Sequence, residues 1–369
     1  MDVNVAVLGS YAPSLINFRG PMLREMLARG HEVLALAPDM ADGVRAELEA
    51  MGAQPVEVRL QRTGLNPLRD AASVMSLAGE LRRLKPDLLF AYTIKPVVYG
   101  SVAARMAGVR RVHSMITGLG YAFGQGRGAL KTLVVNLYRL ALSLNSSVLF
   151  QNADDRDLFQ DLRIIPPRKK TCITHGSGVD LDRFALSEAP EGPPLFLCIS
   201  RLLKEKGVRE FAAAARILKA RRPEARFRLV GPFDPGPDAI DKSLVDSWVE
   251  DGFLEWPGPA EDVRPHLREA SVSALPSYRE GTPRSVLEAM ATGRPVVTTN
   301  VPGCRQTVIP GETGFLVPPR DPEALAAAME RFVDEPALVP AMGLAGRALC
   351  EARFDVDKVN AIIMEALGL

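Results

Sequence analysis

The sequence predicts an α/β protein made of two doubly wound, parallel-sheet domains. Three observations carry this expectation. Short apolar runs rich in β-branched residues alternate with amphipathic stretches of helical length over residues 3–162, the pattern of strand–helix–strand units. The alternation lapses over residues 174–194, where Gly176, Gly178 and the Pro190–Pro194 cluster fall, and it restarts at Leu195. The length of 369 residues suits two domains of ordinary size.

Taken in order, Val3-Asn-Val-Ala-Val-Leu8 opens strand 3–9, followed by helix about 20–29, strand 32–37, helix 40–51 and strand 56–60. Helix 67–84, strand 88–92, helix 97–107, strand 109–116, helix 129–145, strand 147–151 and helix 153–162 complete the first series. The second series runs Leu195–Ser200, helix 207–221, Phe227–Val230, helix 240–250, Val272–Leu275, helix 283–292 and Pro295–Thr299. Helices 322–333 and 336–351 follow. Strand-then-helix repetition argues for parallel sheets covered on both faces. Such sheets bind ligands at the carboxyl ends of their strands, so two of them imply a substrate cleft between the halves.

Apolar residues make up 47% and charged residues 24% of the chain, the balance of a core-forming globular protein. No apolar run approaches the ~18 residues that cross a bilayer, and the chain enters its first strand with no basic leader. Cys172, Cys198, Cys304 and Cys350 are scattered and form no C-x-x-C pair. They read as reduced, partly buried thiols of a cytosolic protein, which argues against a disulfide scaffold or a zinc module. No repeat of short fixed period is present. The net charge of +1 divides into +6 over residues 1–180 and −5 over the remainder. Between Glu80 and Asp154 stand ten basic residues and one acid, Asp87. A basic half suits either a phosphate-rich partner or a solvated basic surface.

Chemistry concentrates in Glu280-Gly-Thr-Pro-Arg-Ser-Val-Leu-Glu288. Thr282 suits an N-cap and Pro283 the first helical position, so a helix is expected to begin here. Its open N–H groups, from about Arg284 to Val286, would make a diphosphate site. Glu280 precedes that helix and Glu288 sits in its second turn, where a carboxylate can accept from two ribose hydroxyls; an ordinary capped helix with exposed glutamates fits the spacing equally. Ser200-Arg201-Leu-Leu-Lys-Glu-Lys206-Gly207 follows the first strand of the second domain. Its cations are placed to neutralise phosphate, Arg201 by its fork and Lys206 as a point charge, unless the loop is simply solvated.

Arg201 and Lys206 in R-L-x-x-x-K-G, with Glu280 and Glu288 as E-x7-E on a G-T-P-x-x-x-x-E-A-M-A background, together resemble the family 4 retaining glycosyltransferases of the GT-B fold. The resemblance extends over nearly the whole chain, including Gly178-Val-Asp180, Trp256-Pro-Gly258 and Gly314-Phe-Leu-Val-Pro318. It implies an N-terminal acceptor-side domain over 1–178, a C-terminal nucleotide-sugar domain over 179–353, and a final helix, about 354–369, crossing back to the first. It also implies a UDP-sugar as substrate, with no cofactor and no catalytic metal. Arg201 and Lys206 would stabilise the leaving diphosphate, Glu280 would contact the donor sugar and Glu288 the ribose. Backbone amides near Ser285 and Val286 would meet the β-phosphate, with Gly281, Thr282 and Arg284 beside them and Trp256–Gly258 by the base. Fixed cations and a helix terminus would then do electrostatically what a metal does elsewhere.

Ser14-Leu-Ile-Asn-Phe-Arg-Gly20, Tyr92-Thr-Ile-Lys-Pro96 and Ile116-Thr-Gly-Leu-Gly120 resemble bacterial transferases that extend an undecaprenyl-diphosphate-linked glycan, the N-acetylgalactosaminyltransferase type above all. This places Asn17, Arg19, Lys95, Thr117 and Gly118 on the acceptor side. Many family members carry a Gly-Gly pair where this chain has Asn17-Phe-Arg-Gly20. The implied setting is the cytoplasmic face of the inner membrane, touched peripherally through the apolar stretch 129–144, with Lys131 and Arg139, or through the Leu15–Phe18 loop; burial against the sheet explains the apolar stretch as well.

His113, expected at the end of its strand, is a candidate to hydrogen-bond the donor sugar, or else a core histidine. His175 reads as structural, and His31 and His266 receive no role. D-x-D triplets at Asp155–Asp157, Asp180–Asp182 and Asp355–Asp357 are too frequent to mark a metal site. Two other functions share parts of this pattern, a UDP-sugar 2-epimerase and a non-catalytic sugar-nucleotide-binding subunit. The joint presence of Arg201, Lys206, Glu280 and Glu288 argues against both. No aromatic-interleaved basic motif for nucleic acid is present.

Overall fold

The computed structural model describes residues 2–61, 66–119, 128–236 and 238–369; Gly120 of the third acceptor-side motif lies outside them. The chain divides into two compact units, Met1–Ser177 with Asp357–Leu369, and Gly178–Val356.

The first unit holds strands β1 (Asn4–Leu8), β2 (Glu32–Ala37), β3 (Gln54–Glu57), β4 (Leu88–Tyr92), β5 (Arg111–Ile116), β6 (Ser147–Phe150) and β7 (Lys170–Ile173). They form one parallel sheet in the order β3-β2-β1-β4-β5-β6-β7. The register sets Val7 beside Ala35 and Phe90. β1, β2 and β4 are buried on both faces, which is why they read as apolar runs. Ala6 and Leu8 pack with Tyr138, Phe150 and Phe159, whereas Val5 and Val7 pack with Leu23, Met26, Ile363 and Met364. The last two belong to helix Val356–Leu367, so the C-terminus completes the first unit's core. Arg111 fastens that helix by donating to the Leu367 and Gly368 carbonyls.

The second unit holds β8 (Leu195–Ile199), β9 (Arg226–Val230), β10 (Val272–Leu275), β11 (Val296–Thr299) and β12 (Gly314–Val317), parallel in the order β12-β11-β10-β8-β9. A single cluster around Phe196, Phe211, Phe227, Met290 and Phe332 forms its core.

The main departures from the sequence reading are at edges and bends. β7 and β12 are four-residue strands at sheet edges, too short and too exposed to show a period. Helix Pro13–Asn17 was not anticipated either. The expected helix 97–107 begins as a π-turn, Pro96–Gly100, before regular helix Ser101–Ala107. The stretch 129–144 is helix Ala129–Ser143; Val134, Val135, Tyr138, Ala141 and Leu142 face the core, and Leu133 and Leu140 lie on the outside. Among the described residues no helix is long and apolar enough to cross a membrane.

Candidate active site

In the second unit the strand order reverses between β8 and β10, which opens a crevice at their carboxyl ends. The loops leaving those two strands carry the charged motifs. Tyr278 N–H and Ser277 Oγ both donate to the Glu205 carbonyl, at 2.8 and 3.1 Å, and hold the two loops together. Gly207 permits this approach. It has φ 70°, and a Cβ on it would lie 2.0 Å from the Pro276 carbonyl oxygen, so only glycine fits. Gly303 does the same beneath Glu280, where a Cβ would come within 2.2 Å of that residue's carbonyl oxygen.

The clamp sets Lys206 against Glu280, with Nζ 2.5 Å from Oε1 and the side chains only 16% and 13% exposed. This is a short, charge-assisted bond in a poorly hydrated place. Arg201 is more open, 48% exposed, and its Nη1 lies 2.6 Å from Asp234 Oδ2. Asp234 belongs to the loop after β9, which braces the cationic loop from the other side. Asp238 Oδ2 accepts from Glu205 N–H at 2.8 Å, and the Pro232 carbonyl accepts from Leu202 N–H at 3.0 Å. Burial pushes the Glu205 carboxyl up, against the pull of Lys206. Asp234 and Asp238 were missed because nothing in the sequence relates them to residues 33 positions earlier.

Helix Arg284–Ala291 starts one residue later than expected. Pro283 occupies the capping position, and Thr282 Oγ1 donates to the Gly281 carbonyl. Val286 N–H is turned inward onto the Pro283 carbonyl at 3.2 Å, and its side chain is core; its amide is therefore not an open donor, whereas Ser285 lies on the half-buried face. Glu288 meets Arg284 one turn back, Nη2 to Oε1 3.1 Å. Burial raises the Glu288 carboxyl, with Arg284 and then Arg183 opposing the rise. Arg183 is a further cation that the sequence reading did not single out. Trp256 Nε1 donates to the Gly231 carbonyl at 3.3 Å and its ring meets Phe233 edge-on. Gly258, at φ 96°, accepts from Gly231 N–H.

The residues assigned to the first unit differ in burial. His113 is the third of six residues in β5, not at the strand's end. Its ring is buried, Nδ1 lies 2.8 Å from Ser147 Oγ, and Nε2 meets no partner among the described residues. Burial lowers its pKa to about 4, helped by Arg111 and Lys170. It is a core histidine held neutral. Arg19 is also interior, 2% exposed, with Nη2 3.0 Å from Met115 Sδ and the guanidinium over the Tyr92 ring. Lys95 is buried on Asp70, Nζ to Oδ1 3.0 Å. Asn17 is exposed, and Thr117 and Gly118 are half-buried just beyond β5. Leu15 is wholly buried in helix Pro13–Asn17, so it has no surface to offer a membrane; Phe18 is exposed.

Two D-x-D triplets have local jobs. Asp155 N–H donates to the capping Asn152 side chain, and Asp180 Oδ1 accepts from Asp182 and Arg183 N–H. Among the described residues no three His, Cys, Asp or Glu side chains gather as a metal site.

Residues 20–176 match the family description "glycosyl transferase 4-like domain", and residues 193–335 match "glycosyl transferases group 1". The chain is 28% identical over 322 residues, 83% of each chain, to the N,N'-diacetylbacillosaminyl-diphospho-undecaprenol alpha-1,3-N-acetylgalactosaminyltransferase of Campylobacter jejuni. It is 27% identical over 284 residues, 73% of this chain and 72% of the relative, to the Escherichia coli UDP-Gal:alpha-D-GlcNAc-diphosphoundecaprenol alpha-1,3-galactosyltransferase. Among solved structures, the Thermosynechococcus elongatus sucrose-phosphate synthase superposes with a TM-score of 0.79 at 20% identity, covering 98% of this chain and 97% of the other. Anabaena Alr3699/HepE, solved with UDP and glucose, gives 0.77 at 19% identity and 99% coverage of both. These likenesses show the GT-B fold.

Proposed function

The chain belongs to the family 4-like, group 1 glycosyltransferases, and on that premise we propose that it moves a sugar from a UDP-sugar to a saccharide carried on a polyprenyl diphosphate. The observation that carries this reading is the Lys206–Glu280 pair at the β8/β10 crevice, with Arg201 on the same loop. A cation and a carboxylate side by side suit a donor with a diphosphate at one end and a polyol at the other. In this reading Lys206 and Arg201 take the diphosphate, Glu280 a hydroxyl of the donor sugar, and Glu288 the ribose hydroxyls. The names of the relatives, which act on undecaprenyl-diphosphate-linked sugars, support the acceptor class, and the Campylobacter jejuni relative, unlike the galactosyltransferase, also supports an N-acetylhexosamine as the sugar moved.

The transfer breaks the bond between the sugar's anomeric carbon and the β-phosphate oxygen. It forms a bond from the same face to the acceptor oxygen, and the acceptor proton passes to the departing phosphate. UDP and the lengthened glycan are the products, with anomeric configuration retained. The cations stabilise charge that grows on the leaving group, which is where fixed electrostatics lower a barrier most. Peripheral membrane contact through Leu133 and Leu140, flanked by Lys131 and Arg139 on the outer side of helix Ala129–Ser143, fits a lipid-borne acceptor.

The test is a thermal-shift titration with UDP, UDP-GlcNAc, UDP-GalNAc and GDP-mannose on the wild type and Glu288→Ala. A ligand that binds only the folded state raises its melting temperature. A rise with the uridine ligands that Glu288→Ala abolishes supports the donor site. No rise with any of them overturns the reading.

A further inference from the structure

We propose that the mouth of the β1/β4 crevice in the first unit reads a hydroxyl group of the acceptor saccharide, and that the Ser10–Thr93 pair is the reading group. The inference deepens the transferase reading above and rests on it. Three observations converge on this spot.

The first is topological. The first unit's sheet order reverses between β1 and β4, and a doubly wound sheet binds its ligand at that reversal, outside the carboxyl ends of the strands. In the proposed reading the second unit obeys the rule, since Lys206 and Glu280 stand on the loops that leave the two strands at its own reversal. In the first unit the loops leaving β1 and β4 carry Ser10 and Thr93, whose hydroxyl oxygens lie 2.9 Å apart. Both residues are half-buried, so the pair keeps a solvent-facing side.

The second is conformational. Thr93 has φ 69°, a left-handed backbone that a β-branched residue adopts only under constraint. The sharp turn from β4 into the following helical segment needs that backbone, and glycine or asparagine would supply it with less strain. What threonine adds at this position is its hydroxyl.

The third is chemical. Two hydroxyls bonded to each other use one hydrogen and keep the other, together with spare lone pairs. Such a pair donates one hydrogen bond and accepts one, which matches a sugar hydroxyl. A phosphate or carboxylate would ask only for donors. The neighbouring cations are already occupied, Arg19 by Met115 and the Tyr92 ring and Lys95 by Asp70, and Tyr92 OH is held by Ser14.

The experiment uses the full chain and a panel of short-chain polyprenyl-diphosphate mono- and disaccharides, each also made in singly deoxygenated forms. Donor is saturating, and melting temperature and UDP affinity are measured alongside. Thr93→Val is expected to lower kcat/KM for the acceptor at least tenfold with UDP affinity unchanged. Thr93→Ser stays within about threefold of the wild type, and Thr93→Gly loses transfer like the valine variant while melting no lower than the wild type. One deoxygenated acceptor should lose as much with the wild type and nothing further with Thr93→Val, a coupling that a merely structural role would not produce. Wild-type acceptor kinetics in Thr93→Val, or losses from variant and deoxygenation that simply multiply, overturn the assignment and leave the donor site standing. UDP binding without transfer to any member of the panel overturns the acceptor class and this site with it.

Discussion

His113 offers the sharpest physical test of how the first unit is built. Burial holds its pKa near 4 against an ordinary 6.5, with Arg111 and Lys170 adding to the effect. The folded state therefore prefers the neutral ring, and the contribution is complete above pH 6.5. Below that the unfolded chain takes up a proton that the folded chain refuses, and stability drains away until about pH 4. With these two values the loss is about 1.4 kcal/mol at pH 5.5 and about 2.6 kcal/mol at pH 4.5. His113→Asn removes the titration and keeps a polar atom for Ser147. At pH 8 the variant is expected to be the less stable, because it leaves space in the core; by pH 4.5 that deficit shrinks by about 2.6 kcal/mol. Hydrogen exchange of the β5 amides reads the opening free energy of this unit. The two tryptophans, Trp248 and Trp256, both lie in the second unit, so a tryptophan-monitored urea transition serves as a control that should not move. Parallel pH curves for wild type and variant would refute the reasoning, and so would a loss of transfer at pH 8 beyond what the lowered stability explains.

Three further expectations concern the second unit. Glu280→Gln should cut transfer at least a hundredfold while UDP affinity, by calorimetry, holds or rises, because UDP no longer leaves a carboxylate unpaired; equal losses in both would contradict its assignment to the sugar. Glu288→Gln removes a carboxyl whose pKa burial has raised, so the folded state prefers it protonated and its ionisation costs stability as pH rises from about 4.5. The variant should melt above the wild type at pH 8 with a gain that fades toward pH 4.5, and a constant gain at every pH would count against buried ionisation. Gly207→Ala places a methyl on the Pro276 carbonyl at positive φ and should cost about 2 kcal/mol or more in the tryptophan-monitored transition, together with the melting shift that UDP produces; an unchanged transition would show that the loops can part.

What the sequence revealed followed from how local each signal is. Strands such as Val5–Leu8 and Leu195–Cys198 are legible because burial on both faces leaves them wholly apolar. The donor motifs are legible because each is contiguous, with the loop conformation written in Gly207. Contacts between distant segments were not. Arg201 reads as an open phosphate ligand, yet its partner Asp234 comes from another loop. Arg19 is placed on the acceptor side by resemblance, but an aromatic ring and a thioether sulfur line an interior slot for its guanidinium. His113 is expected at the end of its strand, but it lies third of six in β5, three residues short of the carboxyl end where a ligand would sit.

The charge pattern at the β8/β10 crevice bears on how a donor would be recognised there. Arg201, Lys206 and Arg284 each face a carboxylate, from Asp234, Glu280 and Glu288. Three cations and three carboxylates cancel at a distance, so this site does not attract a diphosphate from afar as a bare basic patch would. Recognition must come from exchange of partners at contact range. A diphosphate can take Lys206 only by drawing it off Glu280, and an unpaired carboxylate 13% exposed is costly. A sugar hydroxyl beside the diphosphate removes that cost by donating to Glu280. In the proposed reading the two halves of the donor are therefore coupled through one ion pair. UDP alone captures the cation and strands the carboxylate, whereas the intact sugar nucleotide satisfies both, so the site releases its product more readily than it binds its substrate.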